Sequence, residues 1–232
     1  MTQTSASPNT PREKAIVLLS GGMDSCVCAA LAVRDYDAAF LHVDYGQRTE
    51  ARERRSFEAM ADHYNVRRRM IVRNEALHQI GGSALTDESL AVPEDGIEEG
   101  TIPITYVPFR NAHFLAVAVS WAEVLGASKI IIGAVEQDSS GYPDCRASYY
   151  EAFNHLIAVG TRDVNIRIET PLIALKKAGI IRLGLELQAP FQLSWSCYQN
   201  SDEACGLCDS CRLRLRAFAE AGVADPVPYK TQ

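Results

Sequence analysis

Apolar and polar positions fall in blocks along this chain, and the period changes from block to block. Ala15–Ser20 (AIVLLS) is a short, almost uniformly apolar run, the length of a strand covered on both faces and too brief for a buried helix. It ends in Ser-Gly-Gly, and Asp24–Arg34 behind it carries the small and apolar residues of a buried helix. Ala38–Tyr45 reads as a second strand, Glu50–Tyr64 as an Arg-rich helix and Arg69–Val72 as a weak third strand. Arg110–Leu125 is a long apolar helix, and Ile130–Val135 is the clearest buried strand. Tyr149–Val159 and Ala174–Leu187 read as helices, with Ile166–Leu172 between them as a short strand.

Strands separated by helices predict βαβ units, hence an α/β fold with a Rossmann-like parallel sheet and helices on both faces. Ligands of such sheets sit beyond the carboxyl ends of the strands, which gives the Ser-Gly-Gly after the first strand an address. Two stretches break the alternation. Residues 81–105 are Gly-, Glu- and Pro-rich without periodicity and read as a mobile excursion or lid. Residues 190–211 show no helical period until after Cys211. The first fourteen residues are polar and rich in Ser, Thr and Pro, without the apolar core of a signal peptide, and read as a frayed tail. The expected organisation is therefore a tail at 1–14, an α/β domain at 15–189 and a small C-terminal segment at 190–232.

Charge and cysteine content narrow the chemistry. Lys plus Arg number 23 against 29 Asp plus Glu, a formal charge of −6 over 232 residues, which argues against a protein that wraps a nucleic acid. The basic clusters Arg67–Arg68–Arg69 and Arg212/Arg214/Arg216 lack interleaved aromatics and read as solvated faces. Arg212, Arg214 and Arg216 alternate with Leu213, Leu215 and Ala217, so some are half-buried or at an interface, a hint of a homodimer. No apolar window is long enough for a membrane span, and the chain reads as soluble and cytoplasmic. The seven cysteines are an odd number crowded toward one end, which suits reduced thiols reserved for a metal better than a disulfide framework. The five histidines are scattered, and no nucleophile–base pattern is visible.

Ser20-Gly21-Gly22-Met23-Asp24-Ser25 follows a strand and opens a helix. Paired glycines allow positive φ and close backbone approach. The helix aims unpaired N–H groups and a positive dipole end at whatever occupies the loop. Asp24 suits holding the loop, or a magnesium ion that bridges phosphates. A plain strand–helix corner is the alternative reading on spacing alone. The Gly-Lys-Ser/Thr of the Walker pattern is absent. Cys197, Cys205, Cys208 and Cys211 read C-x7-C-x2-C-x2-C. Four such thiolates can close a tetrahedral zinc site with no position left for water, which makes it structural; the spacing also admits an iron–sulfur cluster. Cys26 and Cys28 read as small packing residues, and Cys145 keeps an open role.

SGGMDS (20–25) resembles the pyrophosphate loop of the ATP-pyrophosphatase enzymes, which split ATP into AMP and pyrophosphate. Together with DYGQR (44–48), VPFRN (107–111), SGYPDCR (140–146), ETPL (169–172) and WSCY with the cysteine cluster (195–211), it resembles the 7-cyano-7-deazaguanine synthase family over Ala15 to about Phe218. The glycine loop is a weak family marker; SGYPDCR with the cysteine tail is a specific one. Phe109 departs from the small residue common between Pro and Arg in that motif and is expected to narrow a pocket. The first spacer of the cysteine cluster is also shorter than in some relatives.

The resemblance implies an ATP-dependent C–N ligase of queuosine biosynthesis. It would convert 7-carboxy-7-deazaguanine and ammonia to the nitrile through adenylated carboxylate and amide intermediates, with one structural zinc and with ATP and magnesium. It implies a nucleotide segment of Leu19, Ser20, Gly21, Gly22, Met23, Asp24, Ser25, Cys26, Val27, Cys28 and Ala29, with Asp44, Tyr45 and Gln47 near adenosine. Asp24, Arg110 and Lys177 become the catalytic candidates, the two cations balancing phosphate charge unless they are solvated helix ends. Tyr142, Asp144 and Arg146 become the candidates for gripping the deazaguanine, and Cys197, Cys205, Cys208 and Cys211 the metal ligands. The alternatives are a tRNA-modifying or amidating ATP pyrophosphatase and an inactive ATP- and zinc-binding paralogue. No glutaminase or RNA-binding segment is visible, so free ammonia or a separate donor is expected.

Overall fold

The computed structural model describes residues 11–93, 101–136, 141–162 and 165–230. Five strands, β1 (Lys14–Leu18), β2 (Asp37–Asp44), β3 (Arg69–Arg73), β4 (Lys129–Ile132) and β5 (Arg167–Glu169), form one sheet in the order β3-β2-β1-β4-β5. All four pairings are parallel. Helices connect and cover them: α1 (Met23–Asp35), α2 (Glu50–His63), α3 (Glu75–Ile80), α4 (Arg110–Leu125), α5 (Ala147–Gly160), α6 (Lys177–Glu186) and α7 (Asp209–Ala221).

The near-continuous apolar strands have a simple cause: the sheet is buried on both faces. Ala15 and Val17 of β1 point into one core with Phe57 and Met60 of α2, Ile180 and Ile181 of α6 and Phe218 of α7. Ile16 and Leu18 point into the other, with Leu115, Ala118 and Ala122 of α4 and Ile157 of α5. The period of two thus sorts one strand between two cores. The helix α7 shares the first core, where the Phe191 and Phe218 rings meet edge to face at 5.4 Å. The C-terminal segment is therefore continuous with the main body through α7, while its four cysteines form a smaller cluster with Ala84, Val92 and Trp195.

Several expectations shift. Residues 1–10 of the polar tail lie outside the described residues, but 11–14 are tied to the fold. Lys14 is the first residue of β1, its ammonium donates to the Leu125 carbonyl at 2.8 Å, and Asp37 N donates to the Glu13 carbonyl at 2.9 Å. The strand β4 stops at Ile132 rather than Val135, because the chain must pass close to the start of α1: a Cβ on Gly133 would stand 3.0 Å from Asp24 C and Ser25 N. Of the excursion at 81–105, residues 94–100 lie outside the described residues, as does Ser140 of SGYPDCR. The rest packs down, with Ala84, Leu85, Val92 and Thr105 all buried. Arg48 pins it, donating to the carbonyls of Ala84 (2.7 Å), Asp87 (3.0 Å) and Leu90 (2.5 Å). Among the described residues no helix is long and apolar enough to cross a membrane.

Candidate functional site

One cavity of about 280 Å³ opens at the carboxyl ends of β1, β2 and β4, the position that the strand order dictates. Its walls bring together Leu19, Ser20, Gly22, Met23, Asp24, Ser25, Tyr45, Gln47, Arg110, Tyr142 and Lys177 from the sequence candidates. Gly21 supports the loop from behind. Cys26, Val27, Cys28 and Ala29 continue α1 into the core at 0% exposure. Asp44 is the last residue of β2, buried beneath the wall, and Asp144 is buried beside Tyr142 and Cys145. Arg146 is exposed at the start of α5, one residue beyond the cavity-lining Cys145.

The loop's shape follows from its two glycines, which differ. Gly21 has φ +88, a backbone that favours glycine. Gly22 has φ −79 and is the N-cap of α1, so it needs no positive φ. Ser25 Oγ donates to the Gly22 carbonyl at 3.0 Å, and Ser20 Oγ accepts from Gly22 N at 3.2 Å. The loop is thereby closed on itself, and the first residues of α1, Met23, Asp24 and Ser25, line the cavity.

Charge is arranged unusually around this point. Arg110 is the first residue of α4 and Lys177 the first of α6, so two cations sit at helix N-termini, where the dipole disfavours them. Lys177 answers this in part by an ion pair with Asp24 at 2.5 Å. Arg110 Nη1 donates to Tyr45 Oη at 3.1 Å, and its guanidinium lies 5.5 Å from the Tyr45 ring and 6.0 Å from that of Tyr142. Three buried polar atoms in or beside the wall have no partner among the described residues: Asp24 Oδ1, Arg110 Nε and Asp144 Oδ1. Native interiors rarely leave such groups unpaired, so all three call for a ligand, and the converging N-termini of α1, α4 and α6 call for an anionic one.

The opposite wall is made by the Tyr142–Cys145 turn. Asn111 holds it: its backbone N donates to Asp144 Oδ2 at 3.1 Å and its side-chain amide to the Asp144 carbonyl at 2.9 Å. Tyr142 Oη donates to Thr105 Oγ1 at 2.9 Å, which ties the turn to the excursion. Burial pushes the Cys145 thiol up to about 11 and the Tyr45 hydroxyl up to about 12, so both are neutral near pH 7. Phe109, expected to narrow the pocket, instead lies outside it at 59% exposure, in the left-handed conformation (φ 56) that starts α4. That backbone conformation is one a non-glycine residue seldom adopts, so it is the φ of Phe109, not its bulk, that bears on the start of α4.

Sequence reasoning missed several wall residues. Glu53 accepts from Thr49 Oγ1 (2.9 Å) and Gln47 Nε2 (3.0 Å), while Gln47 Oε1 accepts from Tyr45 N (2.9 Å). This chain fixes the loop after β2, and burial raises the Glu53 carboxyl. The i+3 and i+6 spacing of Gln47, Glu50 and Glu53 was the available signal. Trp195, Tyr198 and Arg214 also line the cavity. Arg214 is 2% exposed and paired with Asp225 at 2.7 Å, so the alternation of Arg and Leu in α7 is answered within the chain and no longer points to a second copy.

The four cysteines of the C-terminal cluster are buried, and their Sγ atoms all lie within 4.8 Å of one another. Cys205 and Cys211 stand 3.9 Å apart, against about 3.8 Å for thiolates tetrahedral around an ion at ~2.3 Å. Cys197 Sγ accepts from the amides of Gln199, Asn200 and Cys205 at 3.3–3.4 Å, and Cys205 Sγ from those of Leu207 and Cys208. Amide donors aimed at sulfur suit thiolates, and four thiolates this close need a cation between them. The cluster fits a metal ion.

Comparison with known proteins agrees. The family described as queuosine biosynthesis protein QueC matches residues 14–222. A 7-cyano-7-deazaguanine synthase of Acidobacterium capsulatum is 63% identical over 222 residues, 94% of this chain and 97% of that one. Its counterpart in Koribacter versatilis is 62% identical over 220 residues, 93% of each. Among solved structures, a predicted subunit of tRNA methyltransferase from Methanocaldococcus jannaschii aligns with a TM-score of 0.50 at 13% identity, covering 95% of this chain and 93% of that one, a likeness of fold alone. With a family match over residues 14–222 and relatives 62–63% identical over more than nine-tenths of the chain, the chain belongs to the family of the queuosine biosynthesis protein QueC.

Proposed function

We propose that the chain converts 7-carboxy-7-deazaguanine and ammonia to 7-cyano-7-deazaguanine at the expense of two ATP. One observation carries the reading: a single cavity sets the SGGMDS loop against the Tyr142–Cys145 turn, in a chain 63% identical to a synthase of that name. A carboxylate is a poor electrophile, because its leaving group would be oxide. Adenylation replaces that leaving group with AMP, so ammonia can attack and form the amide. A second adenylation, on the amide oxygen, lets AMP depart and leaves the nitrile. The protein's task is positioning and charge stabilisation rather than covalent chemistry.

The residues divide along the cavity. Ser20, Gly22, Ser25 and the α1 N-terminus receive the β- and γ-phosphates. Asp24, with one free buried oxygen, holds magnesium, and Lys177 beside it neutralises phosphate charge. Tyr45 and Gln47, held by Glu53, flank adenosine above Asp44. Arg110 stands between Tyr45 and Tyr142 with its Nε unpartnered, where the two substrates meet. Tyr142 and Asp144 grip the deazaguanine, the free Asp144 oxygen suiting its N–H edge. Arg146, at the start of α5, is the candidate for its carboxylate.

The metal is zinc, structural, and held by Cys197, Cys205, Cys208 and Cys211; it organises a segment whose own apolar core is small. The proposal includes ammonia from solution or a separate donor, and a cytoplasmic setting, supported by seven unpaired thiols. It also includes a homodimer, supported by exposed Val124, Leu156 and Val159 on α4 and α5. The test is direct: purified protein with ATP, magnesium, ammonium and 7-carboxy-7-deazaguanine yields the nitrile by mass spectrometry. Unchanged substrate, or AMP release only when tRNA is added, overturns the reading.

A further inference from the structure

A buried guanidinium is costly unless each N–H finds an acceptor. Arg214, one turn beyond Cys211 in α7, satisfies all five. Nε and Nη2 donate to the two Asp225 oxygens at 2.7 and 2.9 Å, and Nη2 also donates to the Phe191 carbonyl at 3.3 Å. Nη1 donates to Ser194 Oγ at 2.7 Å and Ser196 Oγ at 3.3 Å. Between those serines, Trp195 N donates to the Gly21 carbonyl at 2.8 Å, and the Trp195 carbonyl lies 3.7 Å from where a Gly22 side chain would begin. Among the described residues, Trp195 is thus the backbone outside the loop's own flanks and α2 that these contacts place against the two glycines.

The other side of the network leads to the cysteines. Asp225 also accepts from Val227 N at 3.2 Å and Tyr229 Oη at 2.7 Å. That tail pairs with Ala204, which donates to the Pro228 carbonyl at 2.8 Å and accepts from Lys230 N at 2.9 Å, next to Cys205. A Leu or Met at 214 would fill the same space; only a guanidinium joins these particular acceptors.

We infer that Arg214 is a positioning residue of the phosphate loop, fixing residues 194–196 against Gly21 and Gly22 and coupling that grip to the cysteine-bound segment. The inference rests on ATP occupying the loop, as proposed above. It deepens the role of the C-terminal segment from folding aid to a brace of the nucleotide site.

The test compares wild type with Arg214→Lys and, as the milder change, Ser194→Ala, whose side chain is fully buried and outside the cavity wall. Hydrogen exchange is read residue by residue on ligand-free protein, beside the KM for each substrate and the metal content. Arg214→Lys is expected to expose the Trp195 amide and raise the KM for ATP about tenfold. The KM for 7-carboxy-7-deazaguanine stays within twofold, and β1 protection and one metal per chain are kept. Ser194→Ala is expected to do the same at about threefold. Wild-type Trp195 protection and ATP KM in a folded Ser194→Ala and Arg214→Lys overturn the inference. So does a uniform loss of protection in which both KM values move together. A wild type that does not use ATP refutes the proposed function instead, because the ligand-free exchange still reads the brace.

Discussion

Gly21→Ala probes whether the loop's shape is imposed from behind by α2. A Cβ at this position would stand 2.6 Å from the Glu53 carbonyl oxygen and 2.9 Å from Ser56 Cβ. The first of these is helix backbone, so no rotamer change clears it. The residue also holds φ +88, which costs an L-residue about 1–2 kcal/mol. Crowding a packed site adds about 1–3 kcal/mol. The expected loss is therefore about 2–5 kcal/mol, a fall in Tm of roughly 10 °C for a chain of this size. Gly22→Ala is the control. Its φ is −79 and its new Cβ meets only the Ser20 hydroxyl at 3.3 Å and the Trp195 carbonyl at 3.7 Å, so it should cost below about 1 kcal/mol. Urea unfolding by linear extrapolation, with ATP titration of each folded variant, makes the comparison. A Gly21→Ala protein within about 0.5 kcal/mol of wild type, or a Gly22→Ala protein that loses more, refutes the reasoning.

Other outcomes follow from the same geometry. Lys177→Met should lower kcat about 10²–10³-fold with the fold intact, since one preorganised charge donor is removed; full activity in steady-state AMP release would exclude Lys177 from the chemistry. Cys208→Ser should lose the metal and lower Tm, while metal analysis of wild type gives one zinc per chain; iron with sulfide would make the site a cluster instead. Cys145, its thiol pushed up to about 11 by burial from the usual 9.0, should be about a hundredfold slower to alkylate at pH 8 than an open thiol, which peptide mapping after iodoacetamide checks. His42 is fully buried; burial would lower its pKa, but Asp44 at 3.1 Å and the Leu19 carbonyl at 2.9 Å raise it on balance. Its stabilisation is therefore fully present below the unfolded value, about 6.5, and is lost as pH rises through the higher folded value. Unfolding free energies of wild type and His42→Asn should converge toward alkaline pH; a gap that widens there reverses the sign.

Much of this architecture was legible because the chemistry is local. The apolar runs of β1 and β2, the Ser-Gly-Gly corner and the C-x7-C-x2-C-x2-C spacing each specify their own structure within a few residues. What was not legible depends on distant partners. The helix α3 has six residues and buries only Leu77, too little to leave a period. Glu53 reads as one more acid of a charged helix until β2 places Gln47 beside it. Arg214 reads as a solvated or interfacial arginine because its partners, Asp225, Ser194 and Ser196, come from two other loops. Phe109 reads as a wall residue because sequence shows its bulk and hides its φ.

In the proposed reaction one cavity activates the same carbon twice. The most direct measurement is the stoichiometry of a single reaction run to completion, counting AMP, pyrophosphate and nitrile together by phosphorus NMR and mass spectrometry. Two AMP and two pyrophosphate per nitrile, with the amide appearing and then disappearing, is the expected result. One AMP per product with the amide as end point, or ADP in place of AMP, contradicts it.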